Sequence, residues 1–261
     1  MIRSRLERWL TGGRNARVTM FSDFEEQCRY GADRIRDAVR DSPRERFFHL
    51  ALSGGNTPAR LYELLARRDL QWDRVRVYFV DERLVPPDSP KSNYALVRER
   101  LLDRAPIPEA NIHPVPGADS SSAQAAAEYE RSLASLPRSA GSGAPRFDLV
   151  LLGMGEDGHI GSLFPGSRAL AETDGWAAGV APEESPDGLP RVSLTLPVIN
   201  SADLVLVHIS GASKTEVLQR MLEGGAEQDL PISRVRPAGT MEWLLSPPLA
   251  SLAPGSVEQP E

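Results

Sequence analysis

The sequence predicts an α/β fold: a mostly parallel sheet covered by helices, formed as one domain over residues 1–261. Three observations lead there. Short β-branched runs alternate with amphipathic stretches of helical period. Four of those runs, FFHLALS, VRVYFV, FDLVLLG and ADLVLVHIS, are almost continuously apolar, as strands buried on both faces are. Each is followed at once by a glycine-, proline- or charge-rich breaker. No internal repeat competes with this pattern, and 41% hydrophobic residues in 261 supply a sizeable core.

In chain order, ARVTMFS reads as the first strand, and Asp23 caps a helix through EEQCRYGADRIRDAVR that stops near Ser42-Pro43. Cys28, Ala32, Ile35 and Val39 share one face of it, so Cys28 reads as a core residue. FFHLALS then gives a strand, GGN a turn, and TPARLYELLARR a helix with Leu61, Leu64 and Leu65 aligned. VRVYFV is a buried strand. DERLVPPDSPKSN reads as a proline-rich loop, with Ser92 or Asn93 capping a helix in YALVRERLLDR. The segment around Ile112 to Gly117 reads as loop, SSAQAAAEYERSLASL as helix, and PRSAGSGAPR as a surface connection. After FDLVLLG comes the glycine-rich GMGEDGHIGSLFPGS. PRVSLTLP alternates as a half-exposed strand does, and ADLVLVHIS is the last strong buried one. A helix from Lys214 to about Leu222, a loop through GGAEQDLPISRVRP and a short strand in MEWLLS complete the order. Residues 1–15 read as a frayed leader and 247–261 as a mobile tail.

Composition narrows the function classes. A net charge of -6 argues against a protein that works by neutralising nucleic-acid phosphates. Cys28 is the only cysteine, which excludes an intramolecular disulfide and a multi-cysteine zinc cluster and suits a reducing compartment. No apolar run approaches a membrane span or a signal-peptide core, so a cytoplasmic location is expected. No His, Cys and Asp spacing typical of a zinc site occurs, so no metal is expected, and no G-x-S-x-G elbow marks a serine hydrolase.

Four loops follow buried strands: SGGNTP, DERLV, GMGEDGHIG and SGASK. In an open parallel sheet such loops gather at the carboxyl ends of the strands, where ligands bind. In SGGNTP, Gly54 and Gly55 allow close approach, Thr57 is a good N-cap and Pro58 suits the first turn. That segment is either an anion seat at a helix start or a plain strand-to-helix turn. It is neither a Walker loop nor a G-x-G-x-x-G fingerprint. SGASK adds Lys214 to the same device, as an anion contact or a solvated lysine; it is one of only two lysines, with Lys91. Arg191 is a further candidate cation. Asp81, Glu82 and Arg83 admit hydroxyl and anion recognition or a solvated strand end. GMGEDGHIG sets Asp157 and His159 among glycines, the parts of an acid/base site, with Asp157 orienting the imidazole or binding its own turn. His49 and His208 lie within buried strands and read as satisfied structural residues; His113 precedes Pro114 in a loop.

In combination and in this order, LALSGGNTPARLYELL, VYFVDERLVPPDSPKSNY, FDLVLLGMGEDGHIGSLFPGS, PRVSLTLPVINSADLVLVHISGASKTEVL and LPISRV resemble the 6-phosphogluconolactonases of the oxidative pentose phosphate pathway. The resemblance covers roughly 18–243. It implies a Rossmann-like sheet with helices on both faces, and cofactor-free hydrolysis of 6-phosphoglucono-1,5-lactone to 6-phosphogluconate. His159 would be the general base, Asp157 its orienter and Arg83 an oxyanion or substrate contact. Ser53, Gly54, Gly55, Thr57, Asp81, Arg191 and Lys214 would surround the substrate and its phosphate. The partner expected is a small sugar-phosphate lactone, with no nucleic acid or membrane, on a monomer or weak homo-oligomer. The related glucosamine-6-phosphate deaminases are the rival. Their pattern places a glutamate after D-G-H-I where this chain has Ser162, Leu163, Phe164 and Pro165, and reads D-E-Y where this chain has Arg83. One departure from the lactonase pattern is LLSPPLASL after Trp243. A non-catalytic sugar-phosphate sensor on the same fold is the third reading.

Overall fold

The computed structural model describes residues 15–117, 120–223 and 230–247. Its main sheet contains β1 (Ala16–Met20), β2 (Phe48–Leu52), β3 (Val75–Phe79), β5 (Ile112–His113), β6 (Leu149–Leu152), β9 (Leu204–Ile209) and β10 (Thr240–Leu245). They run parallel in the order β1-β10-β9-β6-β2-β3-β5. The strands β2, β6 and β9 are buried along their whole length, which is why their sequences read as apolar runs without alternation.

Helices cover both faces. On one side, α1 (Phe24–Asp41), α2 (Asn56–Leu65) and α3 (Asn93–Val97), which continues into a π-helical turn at Arg98–Leu102, pack Ile35, Leu61 and Leu101 against Leu50, Val77 and Leu206. On the other, α4 (Ser122–Leu133), α5 (Leu196–Asn200) and α6 (Thr215–Glu223) contribute Tyr129, Val198 and Leu218. Helix starts follow the sequence signals: Asp23 accepts from the Glu26 N–H at 2.7 Å, Ser92 caps α3, and Ser121 with Gln124 forms a capping box on α4. Cys28 is fully buried, as its helical face requires. No helix among the described residues is long and apolar enough to cross a membrane.

The structure corrects several expectations. DER is a strand, β4 (Asp81–Arg83), and it pairs antiparallel with β8 (Arg191–Leu194), which pairs with β7 (Ala177–Val180) in a second, three-stranded sheet. β8 is buried throughout rather than half-exposed: its polar residues Arg191 and Ser193 face hydrogen-bond partners in the interior, so their alternation marks buried polar contacts and not solvent. Leu196 begins α5 instead of extending that strand. His113 lies in β5, where it stacks on Tyr78, and not in a loop. Thr57 is inside α2, whose N-cap is Gly55 with φ 95°, because the helix begins one residue before Thr57. His49 and His208 are buried, but each leaves Nδ1 without a hydrogen-bond partner. The leader at 1–14 and the tail at 248–261 lie outside the described residues.

Candidate active site

Strand order reverses between β2 and β6. From β2 the chain steps outward to β3 and β5, then returns to β6 and proceeds the other way to β9 and β10. The loops leaving β2 and β6 therefore diverge, and a crevice opens at their carboxyl ends. It is a cleft of about 580 Å³ lined by residues of all four expected loops, with Arg191 and Pro186 closing one side. Of the candidate site residues named from the sequence, Ser53, Gly54, Gly55, Thr57, Asp81, Arg83, Asp157, His159, Arg191 and Lys214 line it, and Glu82 does not.

His159 is held by the loop that follows β6. Its Nδ1 lies 2.5 Å from Asp157 Oδ1, which also accepts the His159 backbone N–H at 3.1 Å. Asp157 thus both closes its own turn and orients the ring. Burial alone would raise the Asp157 carboxyl, but the hydrogen bonds and charge of His159 outweigh it and hold the group at about 2. An ionised carboxylate only accepts, so Nδ1 is the donor and a neutral ring presents its Nε2 lone pair elsewhere. Phe164 packs against the ring at 4.8 Å between centroids. Gly155 makes the arrangement possible, since a Cβ there would stand 2.0 Å from Nδ1.

The carboxylates of DER have separate tasks. Asp81 lines the cleft with Oδ1 accepting from Asn93 Nδ2 at 3.2 Å and Oδ2 from Ser162 Oγ at 2.7 Å. Glu82 turns to the start of α3 and accepts from the N–H groups of Arg83, Asn93 and Tyr94 and from Ser92 Oγ. Burial raises its carboxyl against the pull of those hydrogen bonds. Arg83 donates through Nη1 to the Lys91 carbonyl at 2.6 Å, and its Nε is buried without a partner. Asn93, which lines the cleft, and Ser162, buried behind it, are the Asp81 partners that sequence reasoning missed in this role. Asn93 read as a cap; the close fit of its side chain against Gly54, where a Cβ would meet Asn93 Oδ1 at 1.8 Å, is invisible without the fold.

Positive potential gathers on the remaining walls. Gly55 caps α2 without a side-chain hydrogen bond, so first-turn N–H groups face the cleft beside the positive end of the helix dipole. Lys214, half-buried in the turn before α6, is pulled below its ordinary range by burial, against the opposing charges of Glu156 and Asp157. Arg83 and Arg191 stand directly opposite each other across the β4–β8 pair. Ser53 is buried and donates to the Leu151 carbonyl at 2.8 Å, tying β2 to β6 across the crevice. Among the described residues no group of three or more His, Cys, Asp or Glu side chains could hold a metal ion.

Known proteins share this sequence pattern and fold at the level of whole chains. The family model of glucosamine-6-phosphate isomerases/6-phosphogluconolactonase matches residues 22–243. The chain is 43% identical over 197 residues to a 6-phosphogluconolactonase of Synechocystis sp., covering 75% of this chain and 80% of that one. It is 33% identical over 251 residues to one of Mycobacterium leprae, covering 92% and 100%. The 6-phosphogluconolactonase structure from Trypanosoma brucei superposes with TM-score 0.80 at 32% identity, over 90% of this chain and 98% of that one. A monomeric glucosamine-6-phosphate deaminase shares the fold alone, with TM-score 0.71 at 22% identity. The chain belongs to the glucosamine-6-phosphate isomerase/6-phosphogluconolactonase family, and within it groups with the 6-phosphogluconolactonases.

Proposed function

We propose that this cleft hydrolyses 6-phospho-D-glucono-1,5-lactone to 6-phospho-D-gluconate, as a step of the oxidative pentose phosphate pathway, with His159 as the general base. The observation that carries the reading is the Asp157–His159 pair, 2.5 Å apart, opening onto a cleft with three cationic side chains. Water loses a proton to His159 Nε2 as its oxygen bonds to the lactone C1. The carbonyl electrons move onto oxygen, where the guanidinium of Arg83, which lines the cleft, supplies donors to the oxyanion. Collapse re-forms the carbonyl and breaks the bond from C1 to the ring oxygen, which takes the proton back from the imidazolium. Asp157 stabilises that imidazolium while it exists. The α2 start, Lys214 and Arg191 bind the phosphate, and binding energy from this non-reacting group holds C1 near His159.

The carboxylate that assists histidine in a deaminase-type site has no counterpart in Ser162 to Pro165, where Ser162 instead bonds Asp81. Replacing His159 with Ala is expected to lower kcat by about 10²- to 10⁴-fold with little change in KM. Lys214→Ala is expected to raise KM with kcat nearly kept, because a phosphate contact is alike in ground and transition states. Steady-state kinetics on the two variants test both roles; an unchanged kcat in the first removes His159 as the base.

A further inference from the structure

Arg191 is 6% exposed, and a guanidinium so buried needs partners that fix its plane. They come from the turn immediately before β8. Nε donates to Ser185 Oγ at 2.9 Å and Nη2 lies 2.8 Å from Asp187 Oδ2. Ser185 Oγ in turn donates to Asp187 Oδ1 at 2.7 Å, so the three side chains close a ring along one edge of the guanidinium. That leaves Nη1 on the side of the buried Ser162, 3.5 Å from its Oγ, while Arg191 itself lines the cleft. The turn is itself anchored, as the Leu84 N–H donates to the Pro190 carbonyl and Pro186 lines the cleft.

Nothing in the reaction requires Asp187, and an anionic side chain beside an anion site is costly unless it has a task. Arg83 and Arg191 are direct cross-strand neighbours, and like charges so placed repel. Asp187 offsets that repulsion from the edge of Arg191 turned away from Ser162. Its carboxyl sits well below the ordinary range: burial opposes this, and the hydrogen bonds from Arg191 and Ser185 outweigh it.

We propose that Asp187 is a positioning residue that, with Ser185, aims Arg191 at the phosphate of the substrate. The inference rests on the reading of Arg191 as a phosphate contact. Removing the charge while keeping the shape, in Asp187→Asn, frees the guanidinium to turn.

Steady-state kinetics on the lactone, with product inhibition by 6-phosphogluconate, test this. Asp187→Asn is expected to raise KM and the product Ki together by about tenfold, the scale of an outer contact that orients a binding group, with the change falling on KM rather than kcat. Asp187→Glu should recover part of the loss, and Asp187→Asn added to Arg191→Gln should raise KM no further than Arg191→Gln alone. A raised KM in Arg191→Gln with an unchanged KM in Asp187→Asn overturns the positioning role alone. Unchanged KM in both overturns it together with the phosphate reading. A fall in kcat at constant KM for Asp187→Asn makes Asp187 structural and also overturns the proposal.

Discussion

His159 depends on a residue that has no side chain. The space a Cβ would take at Gly155 is filled by the imidazole, so Gly155→Ala must push the ring off Asp157. The expected result is a kcat loss of about 10- to 100-fold, less than the full general-base contribution of about 10²- to 10⁴-fold because the ring is displaced and not removed, with KM changed little. Loss of the Nδ1–H resonance in proton NMR would report the broken hydrogen bond, and retention of full kcat would show that the ring is held by other means. At this scale the sequence was informative about chemistry and poor about contact. Glycines around one aspartate and one histidine marked an acid/base loop, and Lys214 stood out through rarity. Which glycine faces the ring, and that Asn93 and Ser162 grip Asp81, depends on neighbours far apart in the chain.

The start of α3 is built from a buried carboxylate. Glu82 accepts from three backbone N–H groups and the Ser92 hydroxyl, and it sits between Asp81 and Arg83, which line the cleft. Glu82→Ala leaves those donors buried without an acceptor. The expected cost is about 3 kcal/mol in urea unfolding, from unsatisfied donors at about 1–3 kcal/mol each with partial relaxation. The catalytic efficiency should fall as well, because Arg83 and Asn93 lose their frame; a variant of unchanged stability would refute this role. A smaller loss of about 1 kcal/mol is expected for Asp23→Ala at the α1 cap, read by the same unfolding experiment. The caps and the long apolar strands were legible because their signals are local. The three-stranded sheet was not: β7 is AAGV, short and alanine-rich, and β8 has polar residues that look like a solvent face until the cleft is known.

For the whole molecule, seven strands joined in parallel bring four loops to one edge, and that arrangement followed from the apolar runs and their breakers. The buried histidines give the fold a pH dependence of its own. Burial pulls His208 and His49 down to about 4, His49 against the pull of Asp148 and aided by Arg76, Arg46 and His113. The unfolded chain therefore binds more protons than the native one between about 6.5 and 4, and stability must fall as pH drops through that window. Each histidine accounts for at most about 3 kcal/mol, and His208→Gln should flatten the slope of unfolding free energy against pH. A flat profile in the unsubstituted protein would contradict the burial argument. Hydrolysis of freshly generated 6-phosphogluconolactone, followed by NMR against its spontaneous background, tests the activity of the cleft most directly, with glucosamine 6-phosphate assayed in parallel for ammonia release. The expected result is acceleration of lactone opening that His159→Ala abolishes without unfolding the protein, and no ammonia. Ammonia release without lactone turnover, or tight phosphosugar binding with neither activity, would contradict it.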